Sequence, residues 1–194
     1  DSADDDAALR LTELWYQRRF LADRLALVVG KIDLTGACGH HENAFDANAA
    51  ANDACLQFLS SAFVNNIAVD WPDDNGPALA LWAYPHDLLH AGIAVADADG
   101  DWNDVADHTF LMLQLEFRPK LADLQGNYRV YGWINNKDHP TVRDENDTGH
   151  AGYGLGASCD QALTDHLTAF VRYGWQRQDV YRFDHAWSAG FLVS

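Results

Sequence analysis

Positive charge is scarce in this chain: 13 Lys and Arg stand against 29 Asp and Glu, giving a formal net charge of −16 over 194 residues. Nucleic acid needs a basic footprint to offset its phosphates, so it is excluded as a partner; cations, neutral solutes or a salty exterior fit better. No stretch reaches the roughly 18 apolar residues of a membrane-spanning helix, which leaves only crossing by strands open. Residues 1–10 lack the basic and apolar regions of a signal peptide, as expected of a mature, trimmed or partial chain. The three cysteines, Cys38, Cys55 and Cys159, fit no zinc spacing, and although Cys38 lies near His40 and His41, no metal site is expected there. Cys38 and Cys55 could pair in an oxidising compartment and leave Cys159 alone; spacing does not decide it. Also missing are a Gly-x-Ser-x-Gly elbow, a phosphate-cradling glycine loop and a His-Glu-x-x-His motif. Ser60 or Ser61 with His40 is the nearest approach to a catalytic pair, and no enzyme is expected.

What the chain does contain is alternation. Two strands, Ala8 to Phe20 and Leu25 to Leu34, are joined by Leu21-Ala22-Asp23-Arg24. A long insertion follows, placed over 35–77. Inside it FDANAAANDACLQFLSSAFVNN, Phe45 to Asn66, carries Asp46, Asn48, Asn52 and Asp53 as turn and cap formers, and Leu56, Phe58, Leu59, Ala62 and Phe63 predict a short helix. Strands resume at Ala78 to Pro85 and Leu89 to Val95. Thr109 to Arg118 is the clearest, with Leu111, Leu113, Leu115 and Phe117 opposed to Met112, Gln114 and Glu116. Asn127 to Asn136, Gly152 to Asp160, His166 to Trp175 and Ala186 to Val193 bring the number to about nine.

Connections alternate as well. Those near 21–24, 86–87, 119–126 and 161–165 are short, and those at 35–77, 97–107, 137–149 and 177–184 are mostly longer and more acidic. Short turns on one rim and long loops on the other, with Tyr16, Phe20, Phe117, Tyr173, Trp175 and Trp187 near strand ends, suit a membrane β-barrel. A soluble sandwich, its oily faces turned into a shared core, stays open on pattern alone. The glycines, Arg, Trp and Tyr of the second face favour a wet lumen.

The segments LTELWYQRRF (Leu11 to Phe20), LALVVGKIDL (Leu25 to Leu34), FDANAAANDACLQFLSSAFVNN, GNYRVYGW (Gly126 to Trp133) and GYGLGASCDQALTDHLTAFVRYGW (Gly152 to Trp175) together resemble the carbohydrate-selective outer-membrane porins of OprB type. The resemblance runs in order over nearly the whole chain, and FD-x-N-x-x-AND-x-x-x-QF is its most specific part. It implies an all-β fold: an antiparallel transmembrane β-barrel, sixteen-stranded, of which this chain supplies about nine strands, with a short helix in a long extracellular loop. Residues 1–194 would form one β-barrel domain, incomplete because family members are about twice this length and the chain ends at Val193 and Ser194 without the aromatic residue such porins present.

The implied function is passive, selective diffusion of sugars or other small solutes across a bacterial outer membrane, in a Gram-negative cell, with membrane lipid and lipopolysaccharide as surroundings. The implied barrel is a monomer, a trimer being the other assembly considered. Strand parity then turns Glu13, Trp15, Gln17, Arg19, Gln114, Glu116, Arg129, Tyr131, Trp133 and Arg172 into the lumen. Carboxylates and guanidiniums bond sugar hydroxyls, and flat aromatic faces suit pyranose C–H groups. Glu116 with Arg129 reads equally well as a wall-stiffening pair. Lys31 and Asp33 share the parity of Leu27 and Val29 and are expected at the lipid rim. Asp46, Asn48, Asn52 and Asp53 are expected to shape a constriction loop or to cap its helix. No cofactor is expected, calcium being weighed for the run Asp97-Ala-Asp-Gly-Asp-Trp-Asn-Asp on acidity alone, since its glycine stands fourth rather than sixth. The alternatives are a porin for inorganic cations, motivated by the charge of −16, and a soluble secreted β-barrel that binds a ligand.

Overall fold

The computed structural model describes residues 11–36, 44–48, 50–51, 61–100, 102, 104–105 and 107–193. Period-two alternation becomes ten antiparallel strands: β1 (Leu14–Phe20), β2 (Leu25–Ile32), β3 (Gly76–His86), β4 (Leu89–Asp97), β5 (Thr109–Phe117), β6 (Lys120–Leu121), β7 (Leu124–His139), β8 (His150–Thr164), β9 (Leu167–Gln176) and β10 (His185–Val193). Neighbours in sequence are neighbours in space, in the order β1-β2-β3-β4-β5-β7-β8-β9-β10, with β6 a side ribbon on β7. The stretch 119–126, expected as a plain turn, thus holds a further strand. Its link to β7 is Ala122-Asp123, with φ of 51° and 65°, and two positive φ values in a two-residue link are the type I′ geometry that matches strand twist. The first strand begins at Leu14 rather than Ala8 within the described residues, and 1–10 lie outside them.

The two faces differ in kind. Leu79, Leu113, Leu115, Val130, Ile134 and Leu155 point outward and are 45–60% exposed, although each sits in mid-strand between paired neighbours. An apolar surface continuous over that many strands needs an apolar medium. Aromatic residues mark its two edges: Phe20, Phe117 and Tyr128 beside the short turns, and Tyr153, Tyr173, Trp175 and Trp187 beside the long loops. Lys31 keeps the outward parity of Val29, whereas the Asp33 carboxylate closes a turn by accepting from the Thr35 N–H at 2.9 Å and hydroxyl at 2.7 Å.

Inward, Val28, Ile32, Trp82, Phe110, Met112 and Trp133 form a buried cluster. The insertion seals it. Phe45 packs on Trp82, tilted by 42° with 4.8 Å between ring centroids, Val69 joins the cluster, and Trp71 lies 5.9 Å from Phe110. The inner face beneath the loop is therefore filled by packed side chains. The glycines of β8 have the same explanation: a Cβ on Gly156 would stand 2.0 Å from Cε2 of Tyr131, so the bare backbone makes room for a ring lying flat across the next strand.

The expected short helix shrinks to one turn, α1 (Ser61–Val64), among the described residues; 52–60, which hold Leu56, Phe58 and Leu59, lie outside them. One turn has no stability of its own. It is held by tertiary contact, its Phe63 carbonyl accepting from Arg172 at 2.8 Å. Cys159 carries a free thiol, and Cys38, Cys55, His40 and His41 lie outside the described residues.

Candidate functional site: the inner face and the loop across it

Register lines up the chemistry. His90 on β4 pairs with Glu116 on β5, Glu116 with Arg129 on β7, Arg129 with Ser158 on β8, and Ser158 with Arg172 on β9. All five side chains share the inward parity, so one polar row crosses five strands at a single level. The insertion covers one end of this row and leaves the other open.

At the covered end Arg172 is 1% exposed. Its Nε approaches Asp46 Oδ2 at 2.9 Å, NH1 donates to the carbonyls of Ala51 and Phe63 at 2.8 Å each, and NH2 donates to the Asp46 carbonyl at 3.2 Å. A guanidinium is suited to this because its donors radiate in a fixed plane. Asp46, 1% exposed, also donates its N–H to Gln114 Oε1 at 2.8 Å. Asn48 holds its own turn, Oδ1 accepting from the Ala50 N–H at 3.0 Å, while Nδ2 donates to the Cys159 carbonyl at 3.2 Å. Asn66 donates to the Tyr131 hydroxyl at 2.7 Å and to the Tyr173 carbonyl at 3.0 Å, and Trp133 Nε1 donates to the Ala68 carbonyl at 3.1 Å.

Towards the long-loop rim the last segment of the insertion is fixed through one carboxylate. Asp70 Oδ2 takes Asn135 Nδ2 at 2.9 Å, the Tyr181 hydroxyl at 2.9 Å and a contact from His139 Nε2 at 2.8 Å. Burial first, and then the Asp70 charge, push the Tyr181 hydroxyl well above the ordinary tyrosine range, which keeps it a donor.

At the open end Arg129, 4% exposed, lies between two carboxylates: Nε is 2.9 Å from Glu116 Oε1, and NH1 donates to Asp160 Oδ1 at 2.6 Å. Asp160 is completed by Asn127 Nδ2 at 2.5 Å, and Glu116 Oε2 faces His90 Nδ1 at 3.4 Å. Beside Glu116 opens a cavity of about 540 Å³, walled by Arg19, Trp82, Tyr84, His90 and Arg118, rimmed by Asp23 and Asp87, and roofed by Ala44 and Ala47 of the insertion. His90 meets Tyr84 edge-on at 4.7 Å, and the Arg19 guanidinium lies 5.8 Å over the same ring.

Residues 2–194 match the family described as carbohydrate-selective porin, OprB family. The chain belongs to that family. No curated protein matches it. Among solved structures it is similar to one described as the high-pH structure of Pseudomonas putida OprB, with a TM-score of 0.71 and 14% identity over 94% of this chain and 49% of that one. At such identity the likeness speaks for the fold: ten antiparallel strands in one open sheet correspond to part of the OprB barrel, and the chain spans about half the length of that porin.

Within this family fold the expected lumen residues divide. Glu116 and Arg129 meet as a pair; Arg172, Tyr131 and Trp133 lie beneath the insertion and bond to it. Trp15 and Gln17 lie on the edge strand β1 and Glu13 just before it, and Trp15 packs against the apolar cluster. Of the loop residues, Asp46 and Asn48 bond to the sheet, Asn48 also closing its own turn with the Ala50 N–H, and Asn52 and Asp53 lie outside the described residues. Asp160, His90, Tyr84 and Trp82 were not among the expected site residues although their parity is inward; Asn66 and Asp70 had no periodic signal at all. In the acidic loop Asp99, Asp107 and His108 bring ligand atoms within 4.8 Å of one another, a trio that includes nitrogen, unlike the all-oxygen cage calcium takes. The hydrogen bond to Asp99 raises the His108 pKa above its ordinary value.

Proposed function

We propose that this chain forms part of an outer-membrane channel through which sugars diffuse passively in a Gram-negative bacterium, with the insertion between β2 and β3 as its constriction element. The observation that carries the reading is the contrast of faces: an exposed apolar belt outside, and inside a polar row across which a loop is bonded from Asp46 to Asp70. Loops positioned on a rigid sheet are where selectivity is built. An aqueous path bounded by Arg19, Glu116 and Tyr84 offers charge-assisted hydrogen bonds and an aromatic face, which together suit polyhydroxylated solutes. Arg172 has its donors engaged by the loop and acts on the solute only by shaping the opening. A ligand-binding protein in water would not leave Leu113, Leu115 and Leu155 more than half exposed, so the membrane reading is preferred over the soluble one.

The test is reconstitution of the porin that carries this chain. Liposomes containing it should swell in glucose or maltose faster than protein-free liposomes, and millimolar sugar should reduce single-channel ion current. A cation-selective current indifferent to sugar would favour the inorganic-cation reading that the net charge of −16 supports.

A further inference from the structure

The cavity at the open end of the polar row differs from the covered end in its balance of charge. Its walls and rim carry two guanidiniums, Arg19 and Arg118, against three carboxylates, Asp23, Asp87 and Glu116. Behind Glu116, the charge of Arg129 is offset by Asp160. The cations are engaged: Arg118 Nε donates to Asn127 Oδ1 at 3.1 Å, and Arg19 lies over the Tyr84 ring. Asp23 and Asp87 stand exposed at the tips of the β1–β2 and β3–β4 turns. A volume of about 540 Å³ falls within the range of about 300–1,000 Å³ usual for small-molecule sites, and the half-buried Tyr84 supplies a flat face.

Resting on the sugar-channel reading, we propose that this cavity is a binding subsite on the short-turn side of the constriction, selective for sugars that carry a protonated amine over neutral sugars, and for neutral sugars over sugar acids. The ammonium group sits at the rim between Asp23 and Asp87, where two acceptor-only carboxylates meet a three-donor cation. The pyranose ring lies against Tyr84, and hydroxyls reach Glu116 and His90. A sugar carboxylate in the same pose meets the excess negative charge.

The experiment compares glucose, glucosamine at a pH that keeps its amine protonated, and glucuronate, three pyranoses of nearly one size, in liposomes bearing the full porin. The expected order of flux is glucosamine, glucose, glucuronate, with about a fivefold step for the amine, the factor that one unit charge at ~4 Å contributes in water. Asp23→Asn with Asp87→Asn should bring the glucosamine-to-glucose ratio close to one. Asn suits both turns and tolerates the φ of 64° at position 23. Asp144→Asn with Glu145→Gln removes the same charge from the long-loop rim and should keep the ratio. The proposal is overturned if glucosamine is no faster than glucose, if glucuronate matches glucose, if the Asp23/Asp87 variant keeps the ratio, or if the rim variant loses it equally. Glucose flux no greater than through protein-free liposomes would instead remove the sugar-channel reading itself.

Discussion

Arg172 and Arg129 face the same way, lie two strands apart in one row, and are both almost fully buried, yet they are held by different things. Arg129 is held by the sheet: its partners Glu116 and Asp160 come from the strands on either side. Arg172 is held by the insertion, through one carboxylate and three carbonyls from Asp46, Ala51 and Phe63. The first arrangement would persist if the loop were absent, and the second would not. An inward arginine on a barrel wall is therefore not by itself a solute ligand; what matters is whether its donors end on the wall, on a loop or on open space.

The sharpest way to break the comparison is Arg172→Met. It leaves the Asp46 charge buried without its cation, a loss of about 3–5 kcal/mol in the attachment of the loop. Sheet content should be retained by circular dichroism while single-channel conductance rises several-fold and larger oligosaccharides begin to pass. Unchanged conductance would mean that the loop is held elsewhere. Arg172→Lys should behave like the Met variant, because a single ammonium cannot span three carbonyls. Arg129→Met comes second: with Glu116 and Asp160 uncompensated, the reversal potential should shift towards cations, with the passage of larger sugars unaltered. A gain in size limit equal to that of Arg172→Met would erase the distinction between the two sites.

Much of this division was legible beforehand and part was not, for physical reasons. Parity alone assigned Leu113 and Leu155 outward and Glu116, Arg129 and Arg172 inward, because a side-chain period of two leaves no third choice. It could also have delivered Asp160, His90 and Tyr84, which occupy the inward positions of their strands. Parity does not say what stands opposite a strand's inner face. The contacts of Asn66 with Tyr131 and of Asp70 with Tyr181 span 65 and 111 residues of sequence and obey no period. For the same reason the glycines of β8 and β9 suggested open water, when Gly156 lies under Tyr131 and Gly174 under Asn66 and Ala68. Of the helix expected from Leu56 to Phe63 only the turn Ser61–Val64 falls among the described residues, and its Phe63 carbonyl is held by Arg172 from across the sheet.

Smaller effects sharpen the boundary between covered and open halves. Tyr131→Phe removes one hydroxyl from Asn66, about 1 kcal/mol for a buried neutral hydrogen bond, and should add brief opening events to the single-channel record without changing the mean open conductance. A variant as open as Arg172→Met would place the hinge of the loop at Asn66 instead of Asp46.

The smallest effect belongs to neither half and serves as the control. His108, in the loop between β4 and β5, has its pKa raised chiefly by the hydrogen bond to Asp99, with a contact of 3.2 Å, and by the nearby Asp107 charge. A raised value means that the protonated ring is favoured in the folded loop: the tether to Asp99 is fully present below the ordinary histidine range near 6.5 and is lost as pH climbs through the raised value. The His108 ring resonance should therefore titrate above that of a model histidine, and Asp99→Asn should bring it down. Because His108 touches neither the Arg172 anchor nor the Arg129 pair, conductance across the same pH range should stay level. A step in conductance that tracks the His108 titration would instead couple this outer loop to the constriction and dissolve the boundary drawn between them.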